Sequence, residues 1–124
     1  MTPTEINLHR RSGILELVYE NGTRYELPAE YLRVYAPSAD VQGHSPDQAV
    51  LQHGKKGVMI RSIEPQGNYA IRITFSDGHS AGIYSWDYLH DLGAHREKLW
   101  QVYLERLEAA GKKRESFFIA KSSG

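Results

Sequence analysis

Six histidines and no cysteines define the first chemical question of this sequence. Histidine is the commonest metal ligand, but no H-x-x-x-H pair and no H-E-x-x-H motif occurs here. His90 and His95 lie only five positions apart, with Gly93 between them. Without thiolates, disulfides, iron–sulfur ligation and cysteine-rich zinc sites are excluded for this chain. A metal site would need histidines from distant segments, and we expect most of the six to be surface or strand-end residues.

Acid/base and nucleophilic chemistry have equally weak signals. Asp87 and Asp91 lie at i, i+4 on a predicted short helix, which suits an acid/base pair. Exposed acids early in a helix also interact favourably with its dipole. No G-x-S-x-G elbow is present. We predict no catalytic residues; an enzyme subunit that binds a small molecule would need a cavity between a sheet and the predicted helix Leu99–Leu107.

Tyrosines and arginines alternate in the segment RYELPAEYLRVY. Such interleaving occurs in single-stranded nucleic-acid platforms, but 15 basic and 15 acidic residues cancel, so no excess charge favours nucleic acid. Tyrosine and arginine are also favoured in protein interfaces. We therefore predict a partner-binding surface with no nucleic acid involved. Its predicted residues are Tyr31, Arg33, Tyr35, His44 and His53.

Two short basic runs stand out against the neutral composition. The first is GKKG at residues 54–57, and the second is Lys112–Arg114. GKKG lacks the spacing of a phosphate-binding loop, and positive charge suits the C-terminal end of a helix. We interpret both runs as solvated segments.

The elements that must position these residues repeat along the chain. Each half reads as three short strands followed by a helix, and ILELVYENGTRYELPAEYL aligns turn for turn with AIRITFSDGHSAGIYSWDYL. Asn21-Gly22 indicates a hairpin with a type I′ turn, and Asp77-Gly78 indicates a second hairpin. The alternation of Leu15, Leu17 and Tyr19 with Glu16 and Val18 predicts one buried face. The fold class is therefore α+β, with two antiparallel three-stranded meanders forming a sheet packed against a C-terminal helix.

The helical segments have clear boundaries. Ser85 is a predicted N-cap of a short helix that Gly93 should end. A longer helix should run from about Ala94 to Ala110 and end at Gly111. We predict one domain over residues 1–111 and a flexible tail over 112–124. The connection from residue 36 to residue 57 is long for a compact domain, which is typical of functional or disordered loops.

The segments LPAEYLRVYAPSADVQGH and FSDGHSAGIYSWDYLHDLG resemble the gamma-butyrobetaine hydroxylase-like N-terminal domain family, in its small stand-alone bacterial members. The resemblance covers about Ile6 to Ala110. It implies a small α+β domain of unknown function. In the carnitine-pathway oxygenases of this family, the domain precedes a separate catalytic domain, so the resemblance implies an accessory module.

The resemblance also implies a structural zinc site in those oxygenases, formed by a C-x-C-x-x-C cluster and the histidine of DGH. The matching positions in this sequence are Ala36, Ser38, Val41 and His79. Three of the four ligands are replaced, so His79 is the remnant position. We expect no bound cofactor, although zinc or iron could bind if His79 were joined by His44 or His53. His79 is otherwise expected to pack at a strand end.

The domain further resembles a segment appended to P-loop ATPases of iron–sulfur cluster delivery. This implies a non-catalytic adaptor for a protein partner, linked to iron–sulfur or metalloprotein maturation. The sequence has no run of about 20 apolar residues that could span a membrane, and MTPTEINLHRR lacks a signal-peptide pattern. We expect a cytoplasmic monomer or weak homo-oligomer.

Overall fold

The structure is a computed structural model, and it describes residues 1–37, 51–78 and 82–115. The elements follow the predicted order of two β-meanders, each leading into a helix, with a third helix at the end. In chain order they are β1 (Glu5–His9), β2 (Ile14–Val18), β3 (Arg24–Pro28), α1 (Ala29–Val34), β4 (Ile60–Gln66), β5 (Ala70–Phe75), β6 (Gly82–Ser85), α2 (Trp86–Ala94) and α3 (Arg96–Ala110).

The strands form two antiparallel sheets of three, in the orders β1-β2-β3 and β4-β5-β6. The α+β class and the two meanders are thus confirmed. The interior faces alternate as expected: Leu15 and Leu17 are fully buried in the first sheet, as are Ile73 and Phe75 in the second. Together with the helices, these faces make one continuous core.

Both predicted hairpin turns form, but the type I′ assignment for Asn21-Gly22 is wrong. Asn21 does not have positive φ; Gly22 has φ +89° and its N–H donates to Tyr19 O at 2.9 Å. Gly78 has the same φ and donates to Phe75 O at 3.0 Å. Each turn therefore places a single left-handed glycine at its fourth position. The side-chain oxygen of Asn21 accepts a hydrogen bond from Thr23 N.

The helix α2 begins where the sequence predicts but does not end there. The Ser85 hydroxyl accepts a hydrogen bond from Tyr88 N at 3.1 Å, which confirms the N-cap. Gly93, expected to stop the helix, lies inside it, and α2 continues to Ala94. Its small size serves packing, since a Cβ at Gly93 would lie 2.3 Å from Cδ2 of Tyr25 on β3. Sequence spacing cannot reveal this long-range contact.

The helix α3 confirms the predicted long helix and its end at Gly111. Tyr103 and Leu107 are buried, and Leu99 is partly buried. Gly111 has φ +68°, and the N–H of Lys112 donates to Leu107 O at 2.9 Å, which forms the helix-ending motif typical of a C-terminal glycine.

Five tyrosine hydroxyls join the helices to one another and to the loop. From α1, Tyr31 donates to Leu92 O at 2.6 Å and Tyr35 donates to Leu99 O at 2.8 Å. In the opposite direction, Tyr84 donates to Leu32 O at 2.6 Å and Tyr88 donates to Tyr35 O at 2.7 Å. The fifth, Tyr103 on α3, donates to Gln52 O at 2.9 Å. The acceptors Leu92 and Leu32 lie near the C-terminal ends of α2 and α1, and Tyr35 follows α1, while the tyrosine rings fill the core.

The chain beyond α3 returns to the body of the domain. Gly54 N donates to Lys113 O at 2.9 Å, and Lys56 N donates to Arg114 O at 3.0 Å. The domain boundary at residue 111 stays a prediction, and residues 116–124 lie outside the described part. Within the described ranges, no helix is long and apolar enough to cross a membrane.

We predict that Gly93→Ala destabilises the protein, although alanine is normally the better helix former by about 1 kcal/mol. The added methyl group would meet the rigid Tyr25 ring, and overpacking of this kind costs about 1–3 kcal/mol. Urea unfolding measures the loss. Combining Gly93→Ala with Tyr25→Ala should reduce the penalty below the sum of the single effects, and an additive double mutant would contradict the clash.

Alkaline pH should unfold the protein through its buried tyrosines. Burial raises the pKa of Tyr19 to about 12 and that of Tyr103 to about 12, and burial also raises the pKa of Tyr31, Tyr84 and Tyr88. Because the unfolded chain loses these protons near pH 10, stability is complete below about pH 10 and falls as pH rises above it. Absorbance of tyrosinate should appear together with loss of near-UV circular dichroism. Tyrosinate from these residues near pH 10 in a folded chain would contradict this.

Candidate docking groove

A groove of about 770 Å³ opens between β3 and the corner where α2 meets α3. One wall is the strand β3, the other is the end of α2 and the first turn of α3, and Trp100 and Arg114 lie at its side. Its lining combines backbone, aromatic and charged groups, which is the composition of a surface that binds a peptide. The lining residues include Arg24, Tyr25, Glu26, Glu30, Ala94, His95, Arg96, Lys98, Trp100 and Arg114.

The register of the first sheet turns part of the β3 backbone toward this groove. Tyr19 N donates to Thr23 O, so these residues form a hydrogen-bonded pair at the end of the β2–β3 ladder. Because such pairs alternate in an antiparallel ladder, the backbone groups of Arg24 and Glu26 point away from β2. The Arg96 guanidinium crosses from α3 and donates to Glu26 O at 2.7 Å. It thereby holds the two walls together.

Aromatic packing fixes the wall on the α2 side. The Tyr25 ring contacts the rings of Tyr19 and His90 edge-to-face, with centroids 5.6 Å from Tyr25 in both cases. Gly93 lets the helix approach this ring closely. The groove is therefore formed between elements that are packed against each other, and we expect it to be present before any ligand binds.

Arg114 closes one side of the groove with its charge already paired. It makes two hydrogen bonds to the Glu30 carboxylate, at 2.9 and 2.8 Å, and its guanidinium carbon lies 5.2 Å from the centroid of Trp100. The hydrogen bonds to Glu30 raise the pKa of Arg114. This planar, bidentate pairing on an aromatic face orders the Trp100 edge.

A second charged cluster lies at the DGH turn. One oxygen of Asp77 accepts from Arg33 Nε at 2.9 Å and from Lys55 Nζ at 2.7 Å. Arg33 is 7% exposed, so its charge depends on this partner. The cluster joins α1, the segment before β4 and the β5–β6 turn.

A third cluster lies on the outer face of the first sheet, where alternation alone predicts solvent. Glu16 is 6% exposed and accepts hydrogen bonds from His9, Asn7 and Arg24. The hydrogen bond from His9, with those from Asn7 and Arg24, lowers the pKa of Glu16. All these donors already serve one carboxylate, so we interpret the cluster as structural.

The residues predicted from sequence to bind a partner do not come together on one surface. Tyr31 and Tyr35 are 1% and 2% exposed and donate to backbone carbonyls, and Arg33 holds Asp77. Their burial assigns them to the packing of α1, although Tyr31 also reaches the groove. His53 is exposed on the loop. His44 lies outside the described residues.

The zinc site implied by the resemblance does not fit this chain. Ala36 offers a methyl group where the oxygenases have a thiolate, and the sequence contains no cysteine. The positions Ser38, Val41 and His79 lie outside the described residues. Within the described ranges, no three His or carboxylate side chains gather around a common point. Metal binding by His79 with loop histidines stays a prediction.

The comparisons with known proteins agree with this fold. The chain belongs to the gamma-butyrobetaine hydroxylase-like, N-terminal family, whose model matches residues 6–90. None of the curated proteins matches the chain.

Solved structures extend the likeness over most of the chain. Two NMR solution structures are 47% and 46% identical, both with a TM-score of 0.79, and cover 92% and 91% of this chain and 90% and 84% of their own. A crystal structure from Acidithiobacillus ferrooxidans, of a protein of unknown function in the DUF971 family, is 35% identical with a TM-score of 0.61. The match covers 75% of this chain and 93% of that one.

The main groove residues, Arg96 and Trp100, escaped the sequence analysis. Trp100 lies within the predicted helix Leu99–Leu107, and Arg96 carries no signal of its own. The useful signal was the segment HDLGAHREK, in which Gly93, interpreted as a helix stop, and several polar residues interrupt the helical pattern. Only the structure shows that this segment faces β3.

We predict that Asp77→Asn destabilises the protein by about 2–3 kcal/mol, because it leaves the buried Arg33 without its carboxylate. The matched control is Lys55→Gln, which removes the more exposed cation from the same oxygen and should cost below about 1 kcal/mol. Urea unfolding of both variants measures the difference. Equal losses would contradict the assignment of Arg33 as the buried partner.

Proposed function

We propose that the chain is a non-catalytic accessory module that binds a protein partner in the groove between β3 and the α2–α3 corner. The groove itself is the observation that carries this proposal, because it combines backbone groups of a strand, an aromatic ring and charged side chains. These groups recognise an extended peptide segment through its main chain and its side chains.

The groove is suited to a peptide in particular. The outward backbone of Arg24 and Glu26 offers hydrogen bonds to a main chain, with the Glu26 carbonyl already oriented by Arg96. Trp100 supplies the kind of rigid aromatic anchor that dominates protein interfaces. Because both walls are fixed by core packing, little ordering entropy opposes binding.

The proposed partner is a P-loop ATPase of iron–sulfur cluster delivery, acting in the cytoplasm. The support is the resemblance of this domain to a segment appended to such ATPases. The module would act as a monomer or weak homo-oligomer that brings the ATPase to its target in iron–sulfur or metalloprotein maturation.

The test is a steric block of the groove that leaves its hydrogen bonds in place. Ala94 is exposed, ends α2 and lines the groove. Ala94→Trp should fill the groove and weaken binding to the purified ATPase at least about tenfold, or about 1.4 kcal/mol. Isothermal titration calorimetry measures the affinity, and circular dichroism checks the fold.

The matched control is Gln101→Trp, which adds the same side chain at an exposed position of α3 outside the groove lining. It should bind as the parent chain does. Binding that Ala94→Trp leaves unchanged would overturn the groove, and no binding by the parent chain would overturn this partner.

A further inference from the structure

The two basic runs of the sequence, 57 positions apart, lie side by side in the fold. The backbone hydrogen bonds from Gly54 N to Lys113 O and from Lys56 N to Arg114 O join them. The run after α3 reaches this position because Gly111 ends the helix with a left-handed turn. We call the result the basic patch. It consists of Lys55, Lys56, Lys112, Lys113 and Arg114.

The cations of the patch differ in how strongly they are engaged. Lys55 is held by Asp77, which also binds Arg33, and Arg114 is held by Glu30. Lys56 keeps 52% of its side chain exposed, and its Nζ lies 3.6 Å from the Glu115 carboxylate. Lys112 is exposed. The patch therefore presents positive charge to solvent in a protein whose net charge is zero.

The backbone of the patch argues against a phosphate-binding loop. A loop that cradles phosphate uses free N–H groups. Here the N–H groups of Gly54 and Lys56 donate to Lys113 and Arg114, and Val58 N donates to Lys55 O. Recognition is left to flexible lysine side chains, which suit carboxylates spread along a chain.

We propose that the basic patch binds an acidic segment of the protein partner, adjacent to the segment held in the groove. This inference rests on the proposed function. Arg114 belongs to both surfaces, since it lines the groove and lies in the patch. A partner segment leaving the groove past Trp100 therefore meets the lysines next. Complementary charge of this kind raises the association rate and the specificity more than the final affinity.

The first test uses an oligo-glutamate peptide as the probe and the full chain as the receptor. Amide NMR titration at low salt should show saturable shifts at residues 53–56 and 112–114. Lys56→Glu with Lys112→Glu should weaken binding about tenfold. The control reverses two exposed arginines elsewhere, Arg11→Glu with Arg61→Glu, which makes the same change in net charge. Equal weakening by both pairs would overturn the patch.

A second titration distinguishes an acidic peptide from a nucleic acid as the ligand. An oligonucleotide with the same number of charges should bind more weakly than the peptide; tighter binding of the oligonucleotide would overturn an acidic protein segment as the ligand.

Kinetics with the ATPase separate this inference from the proposed function. The patch reversal should lower the association rate with little change in the dissociation rate, whereas Ala94→Trp should weaken binding at least about tenfold. Peptide binding without ATPase binding would retain the patch and reject that partner. ATPase binding that depends on the groove but not on Lys56 and Lys112 would reject the patch and retain the function.

Discussion

Hydrogen bonds between tyrosine hydroxyls and helix carbonyls are the interactions on which the rest of the structure depends. The short helix α1, six residues long, could not persist alone. Tyr31 in α1 and Tyr35 just after it donate to α2 and α3, while Tyr84 and Tyr88 donate back to the carbonyls of Leu32 and Tyr35. This reciprocal pairing satisfies buried polar groups that would otherwise cost about 1–3 kcal/mol each. It also ties α1, which directly follows β3, to the α2–α3 corner beside the groove.

The helices and strands could be predicted because their patterns depend on residues that are close in the sequence. The alternation in β2, the serine before α2 and the glycine after α3 each have a structural role within their own element. Gly93 and Glu16 show where this reasoning fails. Gly93 is required by the close approach of Tyr25, which is distant in sequence. Glu16 is covered by side chains from two neighbouring strands. Neither contact can be predicted from the residues that neighbour Gly93 or Glu16 in the sequence.

The candidate site was harder to predict than the fold for the same reason. Tyr31, Arg33 and Tyr35 have the composition of an interface, yet the fold uses them inside. The two lysine runs looked like solvated ends when taken separately, and only their hydrogen-bonded contact makes them one surface. The missing thiolates at the zinc positions were plain from the sequence. The sequence did not indicate the ion cluster of Asp77 with Arg33 and Lys55 beside the DGH turn.

Binding of a protein segment in the groove is best tested by amide hydrogen exchange with and without the proposed ATPase partner. We expect slower exchange in residues 24–28 and 93–98, with the outer strand β1 unchanged. Protection confined to β1 or to the second sheet, or no protection at a concentration that saturates binding, would contradict it.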